Sequence, residues 1–134
     1  MTLKLSTSVK NGELNSFETT IGASPIIKIR TGSVPASITD PDTGTVLSTI
    51  NLPSDWLTAA SNGSISKNGT WEDSSADASG TAGYFRLYAS DGTTVHMQGT
   101  VTVTGGGGDL ELDNTSINAT QKVTITTFTI TAGN

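Results

Sequence analysis

Apolar and polar residues alternate with period two along two stretches that flank a turn. Phe85 and Leu87 alternate with Tyr84, Arg86 and Tyr88; further on, Val95, Met97, Gly99, Val101 and Val103 alternate with His96, Gln98, Thr100 and Thr102. Between them lies Ala89-Ser90-Asp91-Gly92-Thr93-Thr94, whose Asp-Gly pair accepts the positive φ angles of a tight turn. The pattern predicts a β-hairpin over 83–104, with Phe85, Leu87, Val95 and Met97 facing inward. Tyr84, Arg86 and Tyr88 then share the outer face, where they form a candidate protein-contact surface. The competing reading of that face is packing beneath a loop, the helix or a neighbouring subunit.

A helical period is expected once, near the N-terminus. Leu14, Phe17 and Ile21 are spaced three and four apart, which predicts a helix over Ser6–Ile21 capped by Ser6 or Thr7 and stopped by Gly22. Asn11-Gly12 lies inside it, so a start near Asn11 is the alternative. Strands are expected at 25–31, with Ile27 and Ile29 on one side, and at 45–52, with Val46, Ile50 and Leu52 in phase. A short strand is expected near Ile65 and a further segment from Trp71. Trp56 is expected as an anchor, and residues 72–83 as a polar surface loop. Residues 109–113 alternate Asp109, Glu111 and Asp113 with Leu110 and Leu112. In the last strand, 122–131, the apolar phase shifts between Ile125 and Phe128, predicting a bulge or a strand that passes from one sheet to another.

About seven or eight short strands with frequent turn signals predict a mainly β fold. The expected architecture is an antiparallel β-sandwich, jelly-roll-like, with one short N-terminal helix. The 134 residues predict a single domain, 1–134, with a helical segment over 1–22 and a β core over 23–134. A chain this long buries roughly two-thirds of its unfolded surface, enough to fold without covalent staples.

Charge and composition narrow the function classes. Only 14% of residues are charged and the net charge is −5, with seven scattered basic residues. Direct nucleic-acid binding, which needs clustered cations, is not expected. No apolar run approaches a membrane span, and no signal peptide is expected in MTLKLSTSVKNGELNSF. With no cysteine there is neither a disulfide nor a thiolate metal site.

Candidate chemistry is sparse. His96 is the one histidine; its parity places it on the outer hairpin face, and a surface imidazole is preferred over a catalytic one. The Asp109, Glu111, Asp113 stripe offers oxygen ligands for a hard cation, but it equally discourages pairing at an exposed sheet edge. Carboxylate pairs for glycoside hydrolysis have no distinguishing context. Trp56, Trp71, Tyr84 and Tyr88 could stack on a sugar. Gly105–Gly108 lacks the Lys-Ser/Thr and helix of a phosphate loop and reads as a flexible link. Asp40 and Asp42 read as ordinary turn residues, and the Asn-X-Ser/Thr triplets at Asn62, Asn68, Asn114 and Asn118 as chance matches. No catalytic residue, cofactor or metal is expected.

Several blocks carry a family resemblance: LSTSVKNGEL, IIKIRTGSVP, DTGTVLSTINLP, WEDSSADASGTAGYFRLYASDGTTVHMQGTV and DLELDNTSINATQKVTITTFTITAG. Taken together they resemble a family of small structural proteins of tailed bacteriophages and prophages. ADASGTAGYFRLYASDG is the most specific part. Lys10 and Asn11-Gly12-Glu13 depart from the family's usual, more apolar helix. The resemblance implies a non-enzymatic virion protein, made in the bacterial host cytoplasm. The preferred role is a capsid decoration or cement protein that bridges major capsid proteins. It implies other virion proteins as partners, and a homo-oligomer about a symmetry axis. A tail-tip or fibre module binding host surface glycan, or a neck or tail protein, is the alternative.

Overall fold

The computed structural model describes residues 3–133; residues 1, 2 and 134 of the expected single domain lie outside them. The chain opens with helix α1, Thr7–Ile21. Ser6, with extended backbone, caps it: its Oγ accepts from the Val9 N–H at 3.2 Å. At the other end the Gly22 N–H donates to the Glu18 carbonyl at 2.9 Å. Leu14 is the buried residue of the helix, and Phe17 and Ile21 pack against the core beside it. The interior Asn11-Gly12 is tolerated because Asn11 Oδ1 accepts from the distant Gly63 N–H at 3.0 Å, a tertiary contact that outweighs local propensity.

Among the described residues ten strands follow: β1 Ile26–Thr31, β2 Val46–Asn51, β3 Ser64–Ser66, β4 Trp71–Asp73, β5 Gly80–Tyr88, β6 Val95–Val103, β7 Leu110–Leu112, β8 Ser116–Ile117, β9 Val123–Ile125 and β10 Thr129–Thr131. The fold is mainly β with one helix and a curled principal sheet. That sheet runs β2-β1-β5-β6-β7, with β8 paired to the start of β5. Two two-stranded ribbons, β3–β10 and β4–β9, complete the structure.

The expected hairpin is β5 and β6, with Phe85 opposite Gly99 and Leu87 opposite Met97. It stands at the centre of the sheet, since β1 pairs along the other edge of β5. A register shift between Leu87 and Tyr88 puts Val95 opposite Tyr88 and leaves His96 as the extra residue. The shift thereby takes Val95, expected inward, to the Tyr88 side, and Val103, at the end of β6, is 46% exposed. On β2 the expected phase of Val46, Ile50 and Leu52 is broken. A shift between Ile29 and Arg30 lets Leu47, not Val46, reach the core.

Two expectations about connections need correction. Residues 72–83 are not one surface loop. Glu72 and Asp73 belong to β4, Gly80–Gly83 belong to β5, and the remainder is pinned at buried Ala76, whose N–H donates to the Gln121 carbonyl. The glycine run is not a flexible link either. It folds back so that β7 pairs with β6 in parallel, Val101 opposite Leu110, which an all-antiparallel reading excluded. Gly105 and Gly107 take φ near +86° and +84°, while a Cβ on Gly106 or Gly108 would strike Thr102.

The final segment changes sheets as its phase shift predicts. Val123–Ile125 pairs with β4, and Thr129–Thr131 pairs with β3. Phe128, at the crossing, is buried against Trp71 and Phe85, with ring centroids 5.5 and 5.9 Å away. Trp56 packs on Trp71 at 6.2 Å. These rings join the ribbons to the Ile27, Ile29, Leu47, Ile50 and Leu87 face of the principal sheet in one core.

Candidate functional site

Tyr84, Arg86 and Tyr88 do share one face of β5, and Arg30 of β1 lies on the same face, opposite Tyr84. That face is not a free contact surface. Tyr84 is 0%, Arg86 1% and Tyr88 1% exposed. The connection between β1 and β2, residues 32–45, lies over them as a strap, which is the alternative packing weighed for these aromatics. Its central residue is Asp42. One carboxylate oxygen accepts from Arg86 Nη1 at 2.8 Å and from the Tyr88 hydroxyl at 2.9 Å; the other accepts from Arg30 Nη2 at 3.0 Å.

Further bonds fasten the strap along its length. Arg86 donates to the carbonyls of Asp40 at 2.9 Å and Ser37 at 3.2 Å, and its Nε to Gln98 Oε1 at 3.0 Å. Gln98 Nε2 in turn donates to the Pro35 carbonyl at 2.8 Å. The Tyr84 hydroxyl donates to the Thr43 carbonyl and accepts from the Thr43 N–H at 3.0 Å. Arg30 Nη2 also donates to the Tyr88 hydroxyl at 3.3 Å, leaving its buried Nε without a partner among the described residues.

Two guanidinium groups on one carboxylate resemble an anion site, but the anion is the chain's own. Burial pushes the Asp42 carboxyl upward; hydrogen bonds from Tyr88 and Arg86 and the charges of Arg30 and Arg86 outweigh it and hold the group below its ordinary value. The Tyr88 hydroxyl is raised, chiefly by burial. Asp42 had read as a turn residue. The signal that could have found it is the face itself: two arginines and two tyrosines on adjoining strands demand a carboxylate, and the nearest long connection carries two, Asp40 and Asp42.

The other nominated residues are also tied into the fold. Trp56 and Trp71 are 0% exposed, and their indole N–H groups donate to the carbonyls of Gly22 and Asn68, both at 3.1 Å. They offer no stacking platform. His96 is not on the Tyr84 face. As the extra residue of β6 it lines a shallow pocket of about 350 Å³ together with Met97 and Phe17, Thr20 and Ile21 of α1. In the acidic stripe, Asp109 accepts from the Thr100 N–H at 3.0 Å and Glu111 from the Gly107 N–H at 3.0 Å, so both brace the glycine loop. Asp91 accepts from Thr94 Oγ1 at 2.6 Å and from the Thr93 and Thr94 N–H groups, which closes the hairpin turn. The Thr94 hydroxyl bond, followed by the Thr94 and Thr93 amide bonds, holds its carboxyl well below the usual range.

A carboxylate pair unremarked in the sequence lies where α1 meets the segment after β2. Glu18 accepts from the Trp56 N–H at 3.1 Å, and Asp55 is its acidic neighbour. Burial, and then the hydrogen bond and charge of Asp55, raise Glu18 above its ordinary value against the lowering pull of the Leu57 and Trp56 amides.

Comparison of the chain with protein-family models, with curated proteins and with solved structures found no match in any of the three.

Proposed function

We propose that the chain is a non-enzymatic structural component of a tailed-phage or prophage particle, a decoration or cement protein that bridges capsid subunits on the head. The observation that carries this reading joins the sequence resemblance to the fold. The most specific block, ADASGTAGYFRLYASDG, supplies β5, the strand that pairs with β1, β6 and β8. The resembling residues are therefore the ones on which the sheet is built. In this reading the curled sheet and the two ribbons form the layers of a jelly-roll-like sandwich. The strap that Asp42 fastens makes one face rigid without a partner, as a module that stiffens a shell by contact requires. The net charge of −5 suits a basic shell surface.

The test is co-sedimentation of the purified chain with empty heads of the phage or prophage that encodes it, with isolated tails, and with host lipopolysaccharide vesicles. Saturable binding to heads supports the proposal. Binding to tails alone, or to lipopolysaccharide alone, replaces it with the tail or glycan-binding reading.

A further inference from the structure

β7 covers the edge of β6 only from Val101 to Val103, so the first half of β6, Val95–Gly99, ends the principal sheet on that side. Facing it is β10, which is paired on one edge with β3. Between these edges runs an open groove of about 510 Å³. Phe85 and Phe128 form its buried floor, with Phe17, Met97 and Ile130 packed beside them. Asp109 stands at the end where β7 begins. The groove thus continues the line of β7 along β6 and presents what a strand needs: backbone groups at an edge and apolar places for alternate side chains.

The chain contains a segment of that description. β7 itself is Leu110-Glu111-Leu112, its leucines 1% and 3% exposed and its charge turned outward. Leu3-Lys4-Leu5 repeats the pattern with the opposite charge in the middle. Leu3 is 72% exposed, the largest exposure among the big apolar residues described, so its own body does not cover it. The arm leaves Ser6 in an extended conformation at the far end of α1 from Phe17. Its three residues, at about 3.3 Å each, cover about 10 Å of the roughly 16 Å of edge that β7 leaves open over Val95–Gly99.

We propose that Leu3–Leu5 of a second copy of this chain inserts into the groove and pairs with the open first half of β6, its leucines in phase with Met97, extending the line of β7. Leu3 and Leu5 enter the aromatic floor, as Leu110 and Leu112 of β7 enter the core, and Lys4 turns to the opposite face, as Glu111 does. One copy's arm and another copy's groove are different surfaces. The contact therefore closes reciprocally, as a two-fold pair that exchanges arms, or repeats head to tail in a ring or open chain of subunits. Only this chain takes part, so the contact stands or falls separately from the virion reading.

The absence of native cysteine permits a direct test. A Leu3→Cys protein is mixed with a Thr129→Cys protein under mild oxidation and read on non-reducing gels. Both positions are exposed, and Thr129 lines the groove. A Ser90→Cys protein, altered at the exposed hairpin turn, is the control. The proposal expects mixed disulfide to form at least tenfold faster with Thr129→Cys than with Ser90→Cys. It also expects Leu3→Asp, altered at the exposed position, to sediment as a monomer where the unaltered chain assembles, with an unchanged circular-dichroism spectrum. Equal rates for the two partners overturn it. So does an unaltered chain that stays monomeric at the same concentration, or a Leu3→Cys/Thr129→Cys double variant that closes only within one chain.

Discussion

Replacing Asp42 by alanine should be the most informative single change in this protein. Among the described residues the carboxylate is the one anion bonded to Arg30, Arg86 and the Tyr88 hydroxyl, at 3.0, 2.8 and 2.9 Å. Its loss leaves two cations side by side, one of them 1% exposed at the side chain. Removing one partner of a buried ion pair costs about 3–5 kcal/mol, because the remaining charge stays desolvated. Two features pull the value to the lower end. Asp42 itself is 36% exposed, so solvent screens part of the interaction, and Arg86 keeps three other acceptors on Asp40, Ser37 and Gln98. The expected loss is therefore about 3 kcal/mol, or about 10 °C in melting temperature for a domain of this size. Urea unfolding followed by tryptophan fluorescence at pH 7 measures it.

The pH dependence supplies the second half of the check. The folded Asp42 carboxyl titrates below its ordinary value. Its contribution is complete above the unfolded value of about 3.9 and is lost as pH falls through the folded one. The stability gap between parent and variant should thus be constant from pH 7 to about pH 5 and close in stronger acid. A loss under about 1 kcal/mol at pH 7 would refute the clamp, since that is the worth of an ordinary surface pair. A gap that does not narrow in acid would show that packing of the strap, not its charge, was measured.

Three further expectations follow from other parts of the fold. Phe128→Ala should cost about 3–5 kcal/mol in the same unfolding assay, because the ring fills the junction between Trp71 and Phe85. Gly83→Ala should fail to fold or melt far below the parent by circular dichroism, since a Cβ there would occupy the place of the Gly32 carbonyl oxygen. Glu18→Gln should keep the bond from the Trp56 amide while removing repulsion by Asp55. Because the folded Glu18 carboxyl is raised, its ionisation weighs against folding as pH rises. The variant should melt above the parent at pH 7, and the difference should vanish below pH 4, the region of the unfolded value of about 4.3.

Strand and helix positions were legible wherever periodicity acted alone. The hairpin, the helix from Ser6 to Ile21 and the sheet change after Ile125 are all written as phase in the apolar residues. Phase failed where a neighbour imposed an irregularity. Leu47 and His96 are placed by register shifts against the partner strand, which no residue on their own strand announces. The parallel turn through Gly105–Gly108 was hidden because glycine composition alone does not separate a mobile link from a loop held against Thr102. At the candidate site the shared face of Tyr84, Arg86 and Tyr88 was readable, but its covering was not. Exposure of a sheet face depends on where a distant connection lies, and residues 32–45 carry no periodic signal of their own. Asp42 stands out only once both arginines are known to share its side.

The sheet change near Phe128 also bears on when the fold can form. Trp71 pairs with Ile125, and Ser66 with Thr129. Neither ribbon exists until residues 123–131 have left the ribosome, and the aromatic junction waits with them. Until then β3 and β4 present edges, and Trp56 and Trp71 lack the ring that closes over them. The nascent chain therefore keeps these edges and rings open until residues 123–131 have emerged. Refolding should be slow, on the millisecond-to-second scale of proteins dominated by distant pairings.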